Sequence, residues 1–281
     1  MRSKRKFIFL AVVLFAIAFA FWVLWSNIAI EVSEYTVTDS EIPVSFSGFR
    51  IVQVSDLHNV EFGEKNEELI ALIKKAKPDI IVLTGDMVDS RRTDIAVALD
   101  FVRQAVAIAP TYYITGNHES RISDYGILKA GLIEAEVVVL ENESVDIKRA
   151  DEAITILGIQ DMGFGDDFFF TDYEIFEQYK NTLPKSENYT VMLAHRPHLF
   201  GNYAAFGADL VLSGHAHGGQ FRLPFVGGVF APGQGFWPKY DAGLFDKGES
   251  KMIVSRGLGK SVIPLRFNNR PELVVVELKS E

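Results

Sequence analysis

The chain is 281 residues long and 48% hydrophobic, enough to bury a full core and to favour one large domain over two. Its net charge of −9 argues against a nucleic-acid partner, because binding to a phosphate backbone normally leaves a basic face. The absence of cysteine excludes disulfides, thiolate metal sites and a cysteine nucleophile together.

The N-terminus is the strongest compositional break. Arg2, Lys4, Arg5 and Lys6 make a basic tail, and no charged residue follows from Phe7 to Ile30. A helix over that stretch is long enough to cross the roughly 30 Å hydrocarbon core of a bilayer. The basic flank is expected to stay cytoplasmic, with Trp22 and Trp25 at the opposite interface. A buried core helix and a cleaved signal peptide are the rival readings. Signal peptides have shorter apolar regions followed by small residues, whereas Ala16, Ala18 and Ala20 lie inside the apolar run. The expected organisation is a cytoplasmic tail (1–6), an uncleaved single-pass anchor in the cytoplasmic membrane (7–30), a linker with one or two strands (31–49) and one extracytoplasmic domain (50–281).

Within that domain Arg50-Ile-Val-Gln-Val-Ser55 is a continuous β run, as expected for a strand buried on both faces. Lys65 to Lys77 reads as a helix stopped by Pro78, and Asp79–Thr84 as a second buried strand. A helix over Thr93–Ala107 with Thr93 as N-cap, a strand at Thr111–Thr115 and a helix at Asp124–Glu134 follow. Short strands run from Val137 to Ile159, and Tyr173–Leu183 is helical. Strands are expected at Thr190–Ala194, Asp209–Ser213, Lys251–Ser255 and Glu272–Glu277. Alternating strands and helices followed mostly by strands imply a layered α/β domain.

Nearly all the chemistry-bearing residues lie just past the carboxyl end of a predicted strand, where open α/β sheets gather their ligands. The turns are Asp56-Leu-His58, Gly85-Asp86-Met-Val-Asp89, Gly116-Asn117-His118-Glu119, Ala194-His195 and Gly214-His215-Ala-His217. Any one of them has a bland reading, since Asp and Asn after strands make turns and cap helices. Their recurrence at five strand ends points to a shared site. Asp, Asn and His without Cys suit a borderline or hard divalent ion such as Mn, Fe or Zn, and there are enough donors for two ions.

The order Asp-x-His, Gly-Asp-x-x-Asp, Gly-Asn-His-Glu, His, Gly-His-x-His resembles the calcineurin-like metallophosphoesterases, from about Arg50 to the C-terminus. The closing segment, from Ser255-Arg256-Gly-Leu-Gly259 through Arg266 to Arg270-Pro-Glu272, is similar to a membrane-anchored branch that includes phosphodiesterases and UDP-2,3-diacylglucosamine hydrolases. The resemblance implies a four-layer fold of two mixed sheets flanked by helices, preceded here by one transmembrane helix. It implies Asp56, His58, Asp86 and His217 as ligands of one ion, and Asn117, His195 and His215 of a second, with Asp86 bridging. His118 would protonate the leaving oxygen and Asp89 would hold that imidazole. The reaction implied is in-line attack on phosphorus by a hydroxide shared between the ions, on an envelope or lipid-linked phosphate ester. A broad monoesterase, a nucleotide phosphodiesterase and a non-catalytic binding scaffold of the same fold are the alternatives.

Protein phosphatases of this superfamily carry Arg directly after the second Asp of Gly-Asp-x-x-Asp, and here Ser90 stands there, followed by Arg91 and Arg92. Arg196, Arg256 and Arg266 are the alternative phosphate clamps. His198 matches no ligand position. Phe164, Phe168, Phe169 and Phe170, and later Phe221, Phe225, Phe230, Phe236 and Trp237, cluster in Gly- and Pro-rich loops, where they could serve the core, the membrane or an acyl chain.

Overall fold

A computed structural model describes residues 2–165, 170–260 and 265–281, so Phe168 and Phe169 lie outside the described residues. Helix α1 (Arg2–Ser26) is followed by β1 (Glu31–Asp39) and β2 (Arg50–Val54). Then α2 (Glu67–Ala76), β3 (Ile80–Thr84), α3 (Ile95–Val106), β4 (Thr111–Ile114), α4 (Tyr125–Glu134) and β5 (Val138–Val139) alternate. The hairpin of β6 (Glu143–Arg149) and β7 (Glu152–Gly158) leads to α5 (Asp172–Lys180), β8 (Tyr189–Leu193), α6 (Phe200–Phe206) and β9 (Leu210–Ser213). Four short strands come next: β10 (Arg222–Leu223), β11 (Gly227–Gly228), β12 (Phe230–Ala231) and β13 (Gly235–Phe236). The chain ends with β14 (Gly243–Lys247), β15 (Ser250–Val254) and β16 (Glu272–Ser280).

Two six-stranded mixed sheets form the body, in the orders β1-β16-β2-β3-β4-β5 and β14-β15-β9-β8-β7-β6. Strand alternation sorts the side chains into layers. Ile51, Ile80 and Val82 point between the sheets with Ile156, Val191, Leu212 and Val274, while Val52, Ile81 and Leu83 point outward onto Leu69, Ile73 and Val102 of α2 and α3. The second sheet's outer face packs Met192 and Val211 on Phe176 of α5 and on Phe200 and Tyr203 of α6. This is the expected arrangement of two mixed sheets with helices outside them.

Several local expectations are corrected. Of the one or two strands expected within residues 31–49, one is β1, and what the sequence did not name is its partner: it pairs in parallel with β16 from Glu31↔Glu272 to Asp39↔Ser280 in the first sheet. The anchor helix ends at Ser26 and not Ile30, and the Asn27 side chain turns away to bind the Arg266 backbone. Helix α3 is capped by Asp94, which accepts from the N–H groups of Ala96 and Val97, while the Thr93 hydroxyl donates to the Asp89 carbonyl. Helix α5 begins with a capping box of Thr171 and Glu174, and α6 and β14 were not expected.

Candidate metal centre

Strands β2, β3 and β4 run parallel in one sheet and β7, β8 and β9 parallel in the other. The carboxyl ends of β2, β3, β4, β8 and β9 open toward one edge of the sandwich, and all five reactive turns meet there. The Gln53 amide crosses between the sheets, donating to the Thr84 hydroxyl and to the Ser213 carbonyl, each at 2.9 Å.

Two donor groups result. Asp56, His58, Asp86 and His217 form one, and Asp86, His195 and His215 the other, with ligand-type atoms in each group within 4.8 Å of one another. Asp86 belongs to both. Asn117 joins the second group, its Oδ1 3.3 Å from His195 Nε2. All seven residues are buried.

Imidazole nitrogens face each other across the site: His58 Nε2 and His217 Nε2 at 3.2 Å, His215 Nδ1 and His195 Nε2 at 3.2 Å. Opposed ring nitrogens next to shared carboxylates fit a divalent cation in each group. The backbone holds the rings for this: His195 Nδ1 lies 2.8 Å from the Thr84 carbonyl, which accepts its proton and aims Nε2 inward.

Five of these seven residues have left-handed backbone: Asp56 (φ 52), His58 (φ 49), Asp86 (φ 53), His215 (φ 67) and His217 (φ 47). Non-glycine residues adopt it at a cost of order 1 kcal/mol each, and such residues concentrate at functional sites. Cross-strand bonds hold them. Asp56 N–H donates to the Gly85 carbonyl, His58 N–H to the Asp86 carbonyl and His215 N–H to both Asp56 oxygens. Glu119, given no role from sequence, organises the crossover. Its buried carboxylate accepts from the N–H groups of Gly116 (2.7 Å), Met87 (2.8 Å), Asp86 (2.9 Å) and Val88 (3.3 Å).

Electrostatics divide the donors. Burial pushes His58 down to about 4, and His215 and His217 well below the usual histidine range, so these rings are neutral. Burial also pulls His195 down, but Asp86 and Asp56 outweigh it and raise His195 to about 10. Burial lifts Asp56 to about 6. A cation must therefore displace the proton of His195 at neutral pH, and below about pH 6 that of Asp56 as well. Metal uptake by the stripped protein is expected to release protons, to weaken as pH falls below about 10, where His195 protonates, and to weaken more steeply through about 6, where Asp56 protonates. Calorimetric titrations in buffers of different ionisation enthalpy measure this; identical heats in all buffers would contradict it.

The glycines make the approach possible. A Cβ at Gly214 would overlap Ser55 Oγ and the Asp56 carboxylate. Gly214→Ala is expected to displace Asp56 and to reduce metal affinity by about 10–100-fold. Metal analysis after dialysis checks it.

His118 lies beside this cluster, its ring centroid 4.4 Å from that of His58. The expected Asp89 partner is not its hydrogen-bond partner: Asp89 Oδ1 is 3.8 Å from His118 Nδ1 and bonds the backbone and guanidinium of Arg91 instead. The Ser90 N–H donates to His118 Nδ1 at 3.0 Å, and burial lowers the imidazole's pKa. A backbone N–H can only donate, so Nδ1 accepts and the ring's proton sits on Nε2.

The three arginines expected to clamp phosphate have internal partners. Arg196 bonds Asp161 through Nε and Nη2 (2.8 Å each) and Asp172 through Nη1 (2.7 Å), and Asp172 also meets His198 Nε2 at 2.9 Å. Arg256 pairs with Glu272 (2.9 Å) and Glu31 (3.2 Å). Arg266 is buried and donates to the carbonyls of Arg256, Gly257 and Gly259. These are contacts that fix loops around the site.

The profile of the calcineurin-like phosphoesterase family matches residues 49–219, which contain all seven donors. The chain belongs to the calcineurin-like phosphoesterases. The uncharacterized metallophosphoesterase YkuE of Bacillus subtilis (strain 168) is 33% identical over 258 residues, covering 89% of this chain and 86% of the relative. The phosphodiesterase YaeI of Escherichia coli (strain K12) is 31% identical over 236 residues, covering 82% of each chain. A transmembrane protein with metallophosphoesterase domain from Danio rerio is 29% identical over 269 residues, 86% of this chain and 57% of the relative. As a calcineurin-like phosphoesterase, the chain is a metal-dependent phosphoester hydrolase with a dimetal-type site of Asp and His residues. Its helix α1 is exposed and apolar enough to cross a membrane, and with the transmembrane relatives this points to a membrane anchor.

Proposed function

We propose that the protein is a two-metal phosphodiesterase, tethered by α1 to the cytoplasmic membrane with its catalytic domain outside. The observation that carries this reading is Asp86 shared between two donor groups. Asp56, His58, Asp86 and His217 would hold one ion, and Asp86, Asn117, His195 and His215 the other, with Mn, Fe or Zn suiting the donors. When bound, such a pair supplies a hydroxide near neutral pH and neutralises charge on phosphoryl oxygens.

The chain's own residues orient the rest. His118 presents its Nε2–H to a substrate oxygen as a hydrogen-bond donor. Full proton transfer needs an imidazolium, and Nδ1–H then needs an acceptor in place of the Ser90 N–H. Asp89 Oδ1, 3.8 Å away, is placed for that exchange. The diester preference is supported by the similarity to a relative named phosphodiesterase. The extracytoplasmic orientation is supported by the basic flank of α1. A lipid-linked or envelope phosphate ester is the proposed substrate.

Full-length protein loaded with manganese is expected to hydrolyse bis-p-nitrophenyl phosphate faster than p-nitrophenyl phosphate. Reversed preference would make it a monoesterase, and an inactive protein that retains no metal by elemental analysis would leave the scaffold reading. Protease protection in vesicles tests the topology; a shielded cytoplasmic C-terminus would overturn it.

A further inference from the structure

The loops that follow the His215–His217 turn carry a surface the catalytic reading does not use. Between Arg222 and Lys239 there is no Asp, Glu, Lys or Arg, in a chain whose net charge is −9. Within this stretch Phe225 is 109% exposed, Phe236 72%, Val226 60% and Trp237 59%. Large apolar side chains gathered in one uncharged segment are not what a water-facing surface selects. Phe225 (φ 66) and Trp237 (φ 58) also hold left-handed backbone, where glycine would be easier, so bulky rings stand at the turns despite the strain.

The backbone of the segment is paired within the protein. β10 pairs with β11 and β12 with β13, Val229 N–H donates to the Gly219 and Phe221 carbonyls, and Trp237 N–H donates to the Val229 carbonyl. Such internal pairing is what a segment entering the apolar edge of a bilayer requires.

The position of the segment identifies its occupant. Arg222 N–H donates to the Phe267 carbonyl at 3.0 Å, and the Phe267 ring packs on Trp22 (5.4 Å) and Phe19 (6.3 Å) of α1. Asn27, just past α1, bonds the Arg266 backbone in both directions at 2.7 and 2.9 Å. The aromatic loops and the anchor helix are therefore joined through one short segment and lie on one side of the domain. The same segment reaches the metal turn, since the Asn269 amide donates to the His217 and Gln220 carbonyls.

We propose that the loops of Leu223–Pro238 are a second membrane-contacting surface, occupied by the bilayer that α1 crosses, and that they seat the metal centre against the headgroup layer. The substrate class is then a phosphoester on a lipid embedded in that bilayer. This last step rests on the phosphoester hydrolase reading above, whereas the surface itself does not. Arg222 closes the start of the segment through its ion pair with Asp241 (2.9 Å), exposed Lys239 stands at its end as an interfacial cation, and Trp237 suits the headgroup level.

The absence of native cysteine allows a direct test. Full-length Phe225→Cys protein, spin-labelled and reconstituted into vesicles of phosphatidylethanolamine and phosphatidylglycerol, is expected to be shielded from a water-soluble nickel relaxant and open to oxygen. A label at Lys148→Cys on β6 serves as the aqueous control. A Phe225→Cys label open to nickel in vesicles overturns the proposal, and so does strong dipolar broadening between labels on two copies, which would make the patch a self-association surface. For the substrate class, turnover of hexadecyl p-nitrophenyl phosphate in the same vesicles is compared with that of soluble bis-p-nitrophenyl phosphate. In Phe225→Asp/Phe236→Asp/Trp237→Asp protein the lipid-to-soluble ratio is expected to fall about tenfold, given the lost apolar insertion. An unchanged ratio overturns the lipid substrate class, and turnover of the soluble ester reports that the variant has folded. Wild-type protein inactive on both esters would defeat the hydrolase reading alone, because label depth needs no activity.

Discussion

Asp86→Asn is expected to leave the protein folded, to lower bound metal below two ions per chain and to reduce kcat by about 10³-fold or more, several kcal/mol of lost charge stabilisation. The fold should survive because asparagine matches aspartate in volume and tolerates the left-handed backbone at this position (φ 53). Its carbonyl oxygen can still accept the His118 N–H, which Asp86 Oδ1 receives at 2.8 Å. What it cannot do is supply the charge that faces His195 Nε2 at 3.3 Å and His58 Nε2 at 3.7 Å. Burial raises the cost of an Asp86 charge, but His195 holds its pKa well below the usual carboxylate range, so the native residue is ionised. Elemental analysis and steady-state kinetics on the same preparation check the pair of outcomes. Full metal content with wild-type kcat would mean that Asp86 bridges nothing.

Glu119→Gln is expected to lose stability and activity together. The carboxylate receives two backbone N–H groups on each oxygen, from Asp86 and Gly116 on one and from Met87 and Val88 on the other. A glutamine must turn its NH₂ toward one pair, leaving two buried donors unpaired at about 1–3 kcal/mol each, and the melting temperature should fall by about 10 °C. Because the same N–H groups set the β3 turn, Asp86 should shift and metal content should fall with the melting temperature. Thermal unfolding with and without added manganese separates the two effects. An unchanged melting temperature would show that these bonds contribute little.

The candidate donors were legible in the chain because each is a local signal. A β-branched apolar run ending in Gly or Ser and then Asp, Asn or His marks a strand end with a ligand-type side chain, and five such turns in series specify a family. The anchor, the βα alternation and the absence of thiolate chemistry are equally local. What stayed hidden depends on partners far away in sequence. Arg196, Arg256 and Arg266 read as phosphate clamps because nothing near them in sequence names Asp161, Glu272 or the carbonyls they bind. Ser90 read as a departure from a pattern until its N–H was seen to set the His118 tautomer. A strand was expected within residues 31–49, but its sheet partner was hidden because that partner lies at the other end of the chain.

The sequence by itself determined which side chains could bind metal and where the apolar N-terminal helix lies, since composition and strand-end chemistry are properties of short segments. The tertiary structure alone decided that two sheets bring their carboxyl edges together, that Asp86 falls within reach of both donor groups, and that the Asp56, His58, Asp86, His215 and His217 backbones are held in left-handed conformations. It also placed the aromatic loops on the side where the anchor leaves. These are relations between segments, enforced by packing and cross-strand hydrogen bonds, which no local pattern encodes.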